Sequence, residues 1–315
     1  MGKQLQFELW KECNSKCTFC YLGNTNRFTP EETKLYNLEK ALSTIKNLEI
    51  YNEYDTIAFI GGEFFQGQLN TEAVKNKFFE LMQTTADLMK AGYIKTTWLY
   101  ATLTIGEQTD LYTTLDIFKD YQDNFWLLTS YDTMGRFHTK KMEDNWSYHM
   151  LNIRKLYPGI KFNTTTIITG DLIDKYLADE FSFKNLMSTY NTSMFVKLCA
   201  GPEGMYISKE HTNQVLGNFF PKRDAFLRFL KKVKREEGLA FYDKLFNIQY
   251  RADTLICEYE EHDAVVNRNK ENGTETYNPR IDYIMDCGHL SVYSAYIDSN
   301  KCAICDKQMI RDLDI

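Results

Sequence analysis

Apolar and polar residues alternate through Gln4-Leu5-Gln6-Phe7-Glu8-Leu9, the period of a half-buried strand. The period then changes at Thr29-Pro30-Glu31-Glu32, which opens a helix. Threonine at the N-cap, proline at the first helical position and acids in the first turn all suit the exposed amides, and apolar spacing carries the helix to Leu48. A short strand of the buried type is expected over residues 55–60, ending in Gly61-Gly62-Glu63. The unit recurs, with helices expected over 71–90, 109–121, 145–156 and 172–189 and strands over 96–103, 125–129, 161–169 and 194–198. Strands alternating with helices predict a parallel sheet of about six β/α units.

The character of the chain changes after Ala200-Gly201-Pro202. Residues 221–237 read as a basic amphipathic helix, with Lys222, Arg223, Arg228, Lys231, Lys232, Lys234 and Arg235 on its polar side and Phe226, Phe229, Leu230 and Val233 for burial. Residues 267–278 form a polar, glycine-bearing loop or insertion, and the remainder reads as short strands and cysteines. The expected division is therefore 1–215 and 216–315.

With 43% hydrophobic and 15% aromatic residues among 315, the chain has enough apolar surface for a substantial core. A net charge of −6 gives no global attraction to nucleic acid. No apolar run reaches the length of a membrane span, and no secretory h-region precedes the first strand, so a cytoplasmic protein is expected. In that reducing compartment the eight cysteines read as ligands or buried thiols rather than disulfides.

Three of them fall within eight residues, Cys13-Asn14-Ser15-Lys16-Cys17-Thr18-Phe19-Cys20. Three thiolates on one short loop can hold three corners of an iron–sulfur cluster and leave one iron open to a small molecule. Cysteines lining a buried helical stripe would be the plain alternative, but Asn14, Ser15, Lys16 and Thr18 argue for a polar loop. Structural zinc normally closes with a fourth ligand, which nothing nearby supplies. The spacing, with an aromatic before the last cysteine, resembles the CxxxCxφC motif of the radical S-adenosylmethionine (SAM) superfamily.

The resemblance implies a partial (β/α)6 barrel with a small cysteine-containing C-terminal extension. It also implies a [4Fe–4S] cluster on Cys13, Cys17 and Cys20 that chelates SAM and cleaves it reductively. The resulting 5′-deoxyadenosyl radical abstracts hydrogen from a substrate. Gly61-Gly62-Glu63 looks like the motif that contacts the methionine amino group in this superfamily, and Phe19 would lie near the adenine. Thr129-Ser130-Tyr131-Asp132 resembles the S-x-D segment of the peptide-modifying branch, which makes Ser130 and Asp132 candidate SAM contacts. The third strand departs from the pattern, with Thr102-Leu103 where an asparagine often follows the threonine.

Cys257, Cys287, Cys302 and Cys305, with His289 beside them, form a second group in the last fifth of the chain. Two readings stay open: a second [4Fe–4S] cluster, as in the SPASM and twitch extensions of peptide-modifying radical SAM enzymes, or a structural zinc ribbon that can include His289. Cys199 reads as a core thiol. The leading expectation is an oxidoreductase acting on a peptide or protein side chain and fed by a reducing electron donor. The alternatives are radical modification of a nucleic acid base and a metal-stabilised binding protein without turnover.

Overall fold

Six strands lie side by side in chain order: β1 (Lys3–Glu8), β2 (Tyr54–Ile60), β3 (Thr96–Tyr100), β4 (Phe125–Ser130), β5 (Lys161–Ile168) and β6 (Ser193–Leu198). The computed structural model from which they are drawn describes residues 3–15, 17, 28–132, 136–198 and 223–238. Every neighbouring pair is parallel, and β1 and β6 are the two edges. Parallel neighbours need crossovers, and crossovers of one hand between strands in unbroken order carry all their helices to one face. Those helices are α1 (Glu31–Lys46), α2 (Glu72–Lys90), α3 (Thr109–Ile117), α4 (Lys140–Leu156), α5 (Gly170–Leu177) and α6 (Phe183–Tyr190). The chain is thus an α/β protein with an open, all-parallel sheet, a form compatible with a partial barrel.

Alternation along the strands separates two chemistries. Ile57, Phe59, Leu99, Leu127 and Phe162 join one core with Leu38, Ile45, Val74, Phe78, Leu115 and Ile153 of the helices. The opposite face carries Ala58, Trp98, Trp126 and Lys161 in register across four strands. The two indoles lie 6.0 Å apart, and the Lys161 ammonium sits 5.6 Å from the Trp126 ring.

Several element boundaries differ from the pattern-based expectation, each for a local reason. Thr29 does not cap α1, which begins after Pro30, a residue with no side chain to offer the exposed amides. The third strand stops at Tyr100, not 103, because buried Leu103 takes φ 60°, a left-handed turn that leaves the ladder. Helix α3 tightens into a 3-10 turn at Lys119–Asn124. The α4 helix starts five residues before the expected 145, since Thr139 accepts the Met142 amide and provides an N-cap ahead of a mostly polar first turn. The stretch expected as one helix over 172–189 is two. Asp179 at φ 62° ends the first, and the Ser182 hydroxyl, accepting the Asn185 amide, starts the second.

The basic helix, α7 (Arg223–Glu237), packs on α5 and α6. Phe229 and Val233 are fully buried, with the Phe229 ring 5.1 Å from Tyr176 and 6.3 Å from Phe183. Lys232 turns inward, donating to the Tyr176 and Leu177 carbonyls at 3.0 and 3.3 Å and pairing with Asp179. It therefore satisfies the open carbonyl end of α5 instead of adding to a basic face. Among the described residues no helix is long and apolar enough to cross a membrane.

Candidate functional site

Beyond their last ladder bonds, β1 and β2 remain zipped together by their loops. Leu9 donates to Ile60 O at 3.2 Å, Gly62 to Trp10 O at 2.9 Å, and Glu63 to Glu12 O at 2.9 Å. This pairing is what Gly61 and Gly62 make room for. A Cβ on Gly61 would collide with the Trp10 carbonyl, and one on Gly62 with the Lys11 and Glu12 carbonyls. The backbone so closely approached is the one that leads into Cys13.

Glu63 is buried, and its carboxylate is occupied by main chain. Oε1 accepts the Phe64 and Phe65 amides at 2.9 and 3.0 Å, and Oε2 accepts the Thr102 amide at 2.7 Å. Its own carbonyl accepts the Trp10 indole N–H at 2.7 Å. One residue thus fastens the carboxyl ends of β1, β2 and β3. A carboxylate offers about four acceptor positions, so one remains for the ammonium expected from the sequence.

A second layer of polar bonds ties the cysteine loop to the same rim. Asn14 donates to Gln66 O at 2.6 Å, and the Gln66 side-chain amide lies 3.1 Å from Ser15 Oγ and 2.7 Å from both Thr102 Oγ1 and Thr104 Oγ1. Thr102 and Thr104 therefore supply the polar contacts of the third strand end, while Leu103 points its side chain into the core. Behind them, Asn145 donates to Thr104 O at 3.0 Å and His149 Nε2 to Ile105 O at 2.8 Å, so α4 braces this loop. Burial depresses the His149 pKa below its ordinary value, against the pull of the Ile105 and Gly106 main chain.

Ser130 and Asp132 stand at and just beyond the end of β4. Ser130 is half-buried, in register with Thr165 of β5. Asp132 is buried and already engaged: Oδ1 accepts the Ile167 amide at 2.6 Å, and Oδ2 accepts Arg136 Nε at 3.0 Å. Burial raises the pKa of Asp132 although the guanidinium opposes it. Burial likewise works against the charge of Arg136, yet the Cys17 thiol, the Asp132 carboxylate and the Cys13 thiol together hold its pKa above the ordinary guanidinium value. Arg136 is therefore within electrostatic range of both described cysteines of the motif.

Cys17 is buried at 4% exposure, and Cys13 is half-buried with its thiol 3.8 Å from Ser15 O. Cys20 and Phe19 lie outside the described residues, as do Cys199, Cys257, Cys287, His289, Cys302 and Cys305. Among the described residues no group of three or more His, Cys, Asp or Glu side chains could hold a metal. The donor set at this rim is two thiols, with the third position of the motif at Cys20.

The structure adds residues that motif reading passed over: Ser15, Gln66 and Thr104 in the polar layer, Arg136 beside the thiols, and Lys34. The Lys34 signal was present in the sequence, because 34, 38, 41, 42 and 45 form one helical stripe whose other members are Leu38, Ala41, Leu42 and Ile45. A lysine in phase with that stripe must find a buried partner. Compared with known proteins, the chain matches no protein-family model and no curated protein.

Proposed function

We propose that the chain is a radical SAM oxidoreductase that holds a [4Fe–4S] cluster on Cys13, Cys17 and Cys20 and acts on a peptide or protein side chain. The observation that carries the reading is the place of the cysteine loop. It leaves the carboxyl end of β1, is zipped to Gly61-Gly62-Glu63 at the end of β2, and lies within electrostatic range of the partly buried Arg136 guanidinium, which Asp132 holds just beyond β4. In parallel β/α sheets the carboxyl ends of the strands are where ligands bind.

The bound cluster would supply one electron to the SAM sulfonium, and the protein supplies placement and dryness. Cys13 and Cys17 present thiolates from a backbone fixed by Asn14, Ser15 and Gln66. Trp10, Phe64, Phe65 and Phe78 pack edge to face beneath the loop, with Trp10 and Phe64 centroids 5.2 Å apart, and keep water from the base of the site. Arg136 offsets the negative charge that thiolates bring into a buried position. Ser130 and the spare acceptor positions of Asp132 and Glu63 are the groups proposed to orient SAM.

An open sheet leaves a wider mouth than a closed barrel, which suits a side chain presented by a larger molecule. The nucleic-acid reading loses part of its support, since Lys232 is drawn into the end of α5. For Cys257, Cys287, Cys302 and Cys305, with His289, we keep the proposal of an auxiliary cluster or a zinc ribbon. The test is electron paramagnetic resonance of the anaerobically reconstituted, reduced protein. A cluster signal that changes when SAM is added supports the proposal, and a signal indifferent to SAM counts against it.

A further inference from the structure

Immediately before the first cysteine of the motif stands Glu12, and its carboxylate has two partners from different parts of the chain. Oε2 accepts the Lys34 ammonium at 2.8 Å and the main-chain amide of Thr29 at 3.2 Å. Lys34 is completely buried. Its Nζ also donates to Gln68 O at 2.8 Å and lies 5.6 Å from the Trp10 ring centroid. Glu12 is where the chain enters the cysteine segment, and Thr29 is where it leaves. A single carboxylate oxygen, charged and set against a buried ammonium, thus joins the two ends of that segment and fastens both to α1 and to the loop after β2.

We propose that Glu12 and Lys34 are positioning residues for the cysteine loop, joining its entry to its exit so that Cys13 and Cys17 are held in place before any metal arrives. The inference rests on the reading of Cys13, Cys17 and Cys20 as ligands. Its physical basis is separate from that reading. Ordering a loop costs conformational entropy, and a loop whose ends are already joined has less left to lose when its side chains converge on an ion. A buried lysine is also a poor choice for stability alone, because an apolar pair of similar volume serves as well or better. What an apolar pair cannot do is accept the Thr29 amide. The acceptor is the part of Glu12 that links the loop ends, and Lys34 holds it in place.

The double variant Glu12→Leu/Lys34→Met separates the two roles. In the full, metal-free chain, site-resolved alkylation of Cys17 is followed by mass spectrometry together with the thermal midpoint. In the reconstituted protein, iron loss to a chelator is followed over time. The expected result is a thermal midpoint near that of the parent chain, Cys17 alkylation about tenfold faster and iron loss accelerated by a similar factor, about what loss of one hydrogen bond to a charged group yields. If the double variant does not fold, Glu12→Gln is used. It keeps the shape and a weaker acceptor, and a smaller acceleration of alkylation is then expected. Unchanged Cys17 alkylation in a folded variant overturns the proposal. If neither parent nor variant takes up iron while Cys17 protection still differs, the cluster reading fails and the neck stands.

Discussion

Glu63 and Thr102, on loops that follow different strands, are joined by a 2.7 Å hydrogen bond from the Thr102 amide to a carboxylate that already accepts two amides of its own loop. The bond makes the ends of β2 and β3 a single rim, and the cysteine loop is laid on it.

That arrangement sets the first expectation. Glu63→Ala leaves three buried amides without their acceptor, each at a cost of roughly 1–3 kcal/mol. The variant should lose at least about 3 kcal/mol in denaturant-induced unfolding, and Glu63→Gln distinctly less, because one oxygen remains. Parent-like stability in Glu63→Ala would show that the rim does not depend on this carboxylate.

Two glycines near the site make a contrast. Gly62→Ala drives a methyl into the Lys11 and Glu12 carbonyls, whereas at Gly106 the nearest atom to an added Cβ is Asn145 Oδ1 at 3.6 Å, an ordinary contact. Gly62→Ala should therefore lower stability by about 1–3 kcal/mol or more and reduce iron uptake, and Gly106→Ala should be close to neutral. Equal effects of the two substitutions, by thermal unfolding and iron content, would contradict the account of the zipped loops.

Much of this architecture can be read from sequence, and the exceptions share a cause. Strand and helix periods locate all six β/α units because burial of apolar faces dominates those elements. The cysteine spacing and the glycine pair mark the rim because each constrains residues close in sequence. Lys34, Gln66 and Arg136 are different, since their meaning lies in partners far along the chain: Glu12, the threonines of the β3 end, and the thiol loop. Asp132 shows the same limit from the other side. Its position was legible as polar and near the site, but not its bonds to the Ile167 amide and Arg136, which need the folded chain.

His149 predicts a pH dependence. With Nε2 donating to Ile105 O, Nδ1 is left as the acceptor for the Tyr112 hydroxyl at 3.0 Å, so the folded state holds the neutral ring. Its pKa in the fold is depressed from the ordinary 6.5, and the unfolded chain thus binds the proton more readily. The stabilising contribution is complete above the unfolded pKa and is lost as pH falls through it toward the folded value. The stability advantage of the parent over His149→Gln should shrink between about pH 7 and pH 5. An advantage that grows on acidification would contradict the assignment.

Arg136 makes a prediction for the reduced protein. A partly buried positive charge in the field of thiolate ligands favours the reduced cluster, so Arg136→Gln should move the midpoint potential to a more negative value in a redox titration. It should also destabilise the fold by about 3–5 kcal/mol by stranding Asp132, a loss that Asp132→Asn in the same chain should partly reverse. A potential unmoved in a folded Arg136→Gln/Asp132→Asn protein would place the guanidinium outside the cluster's field.

The central claim is that Cys13, Cys17 and Cys20 hold a cluster that cleaves SAM. The most direct measurement is formation of 5′-deoxyadenosine from SAM by the anaerobically reconstituted, reduced chain, beside the variant in which all three cysteines are alanine. The account predicts product from the parent chain and none from the variant, whatever metal the C-terminal cysteines retain. No product from an iron-loaded parent chain, or equal product from both, would contradict it.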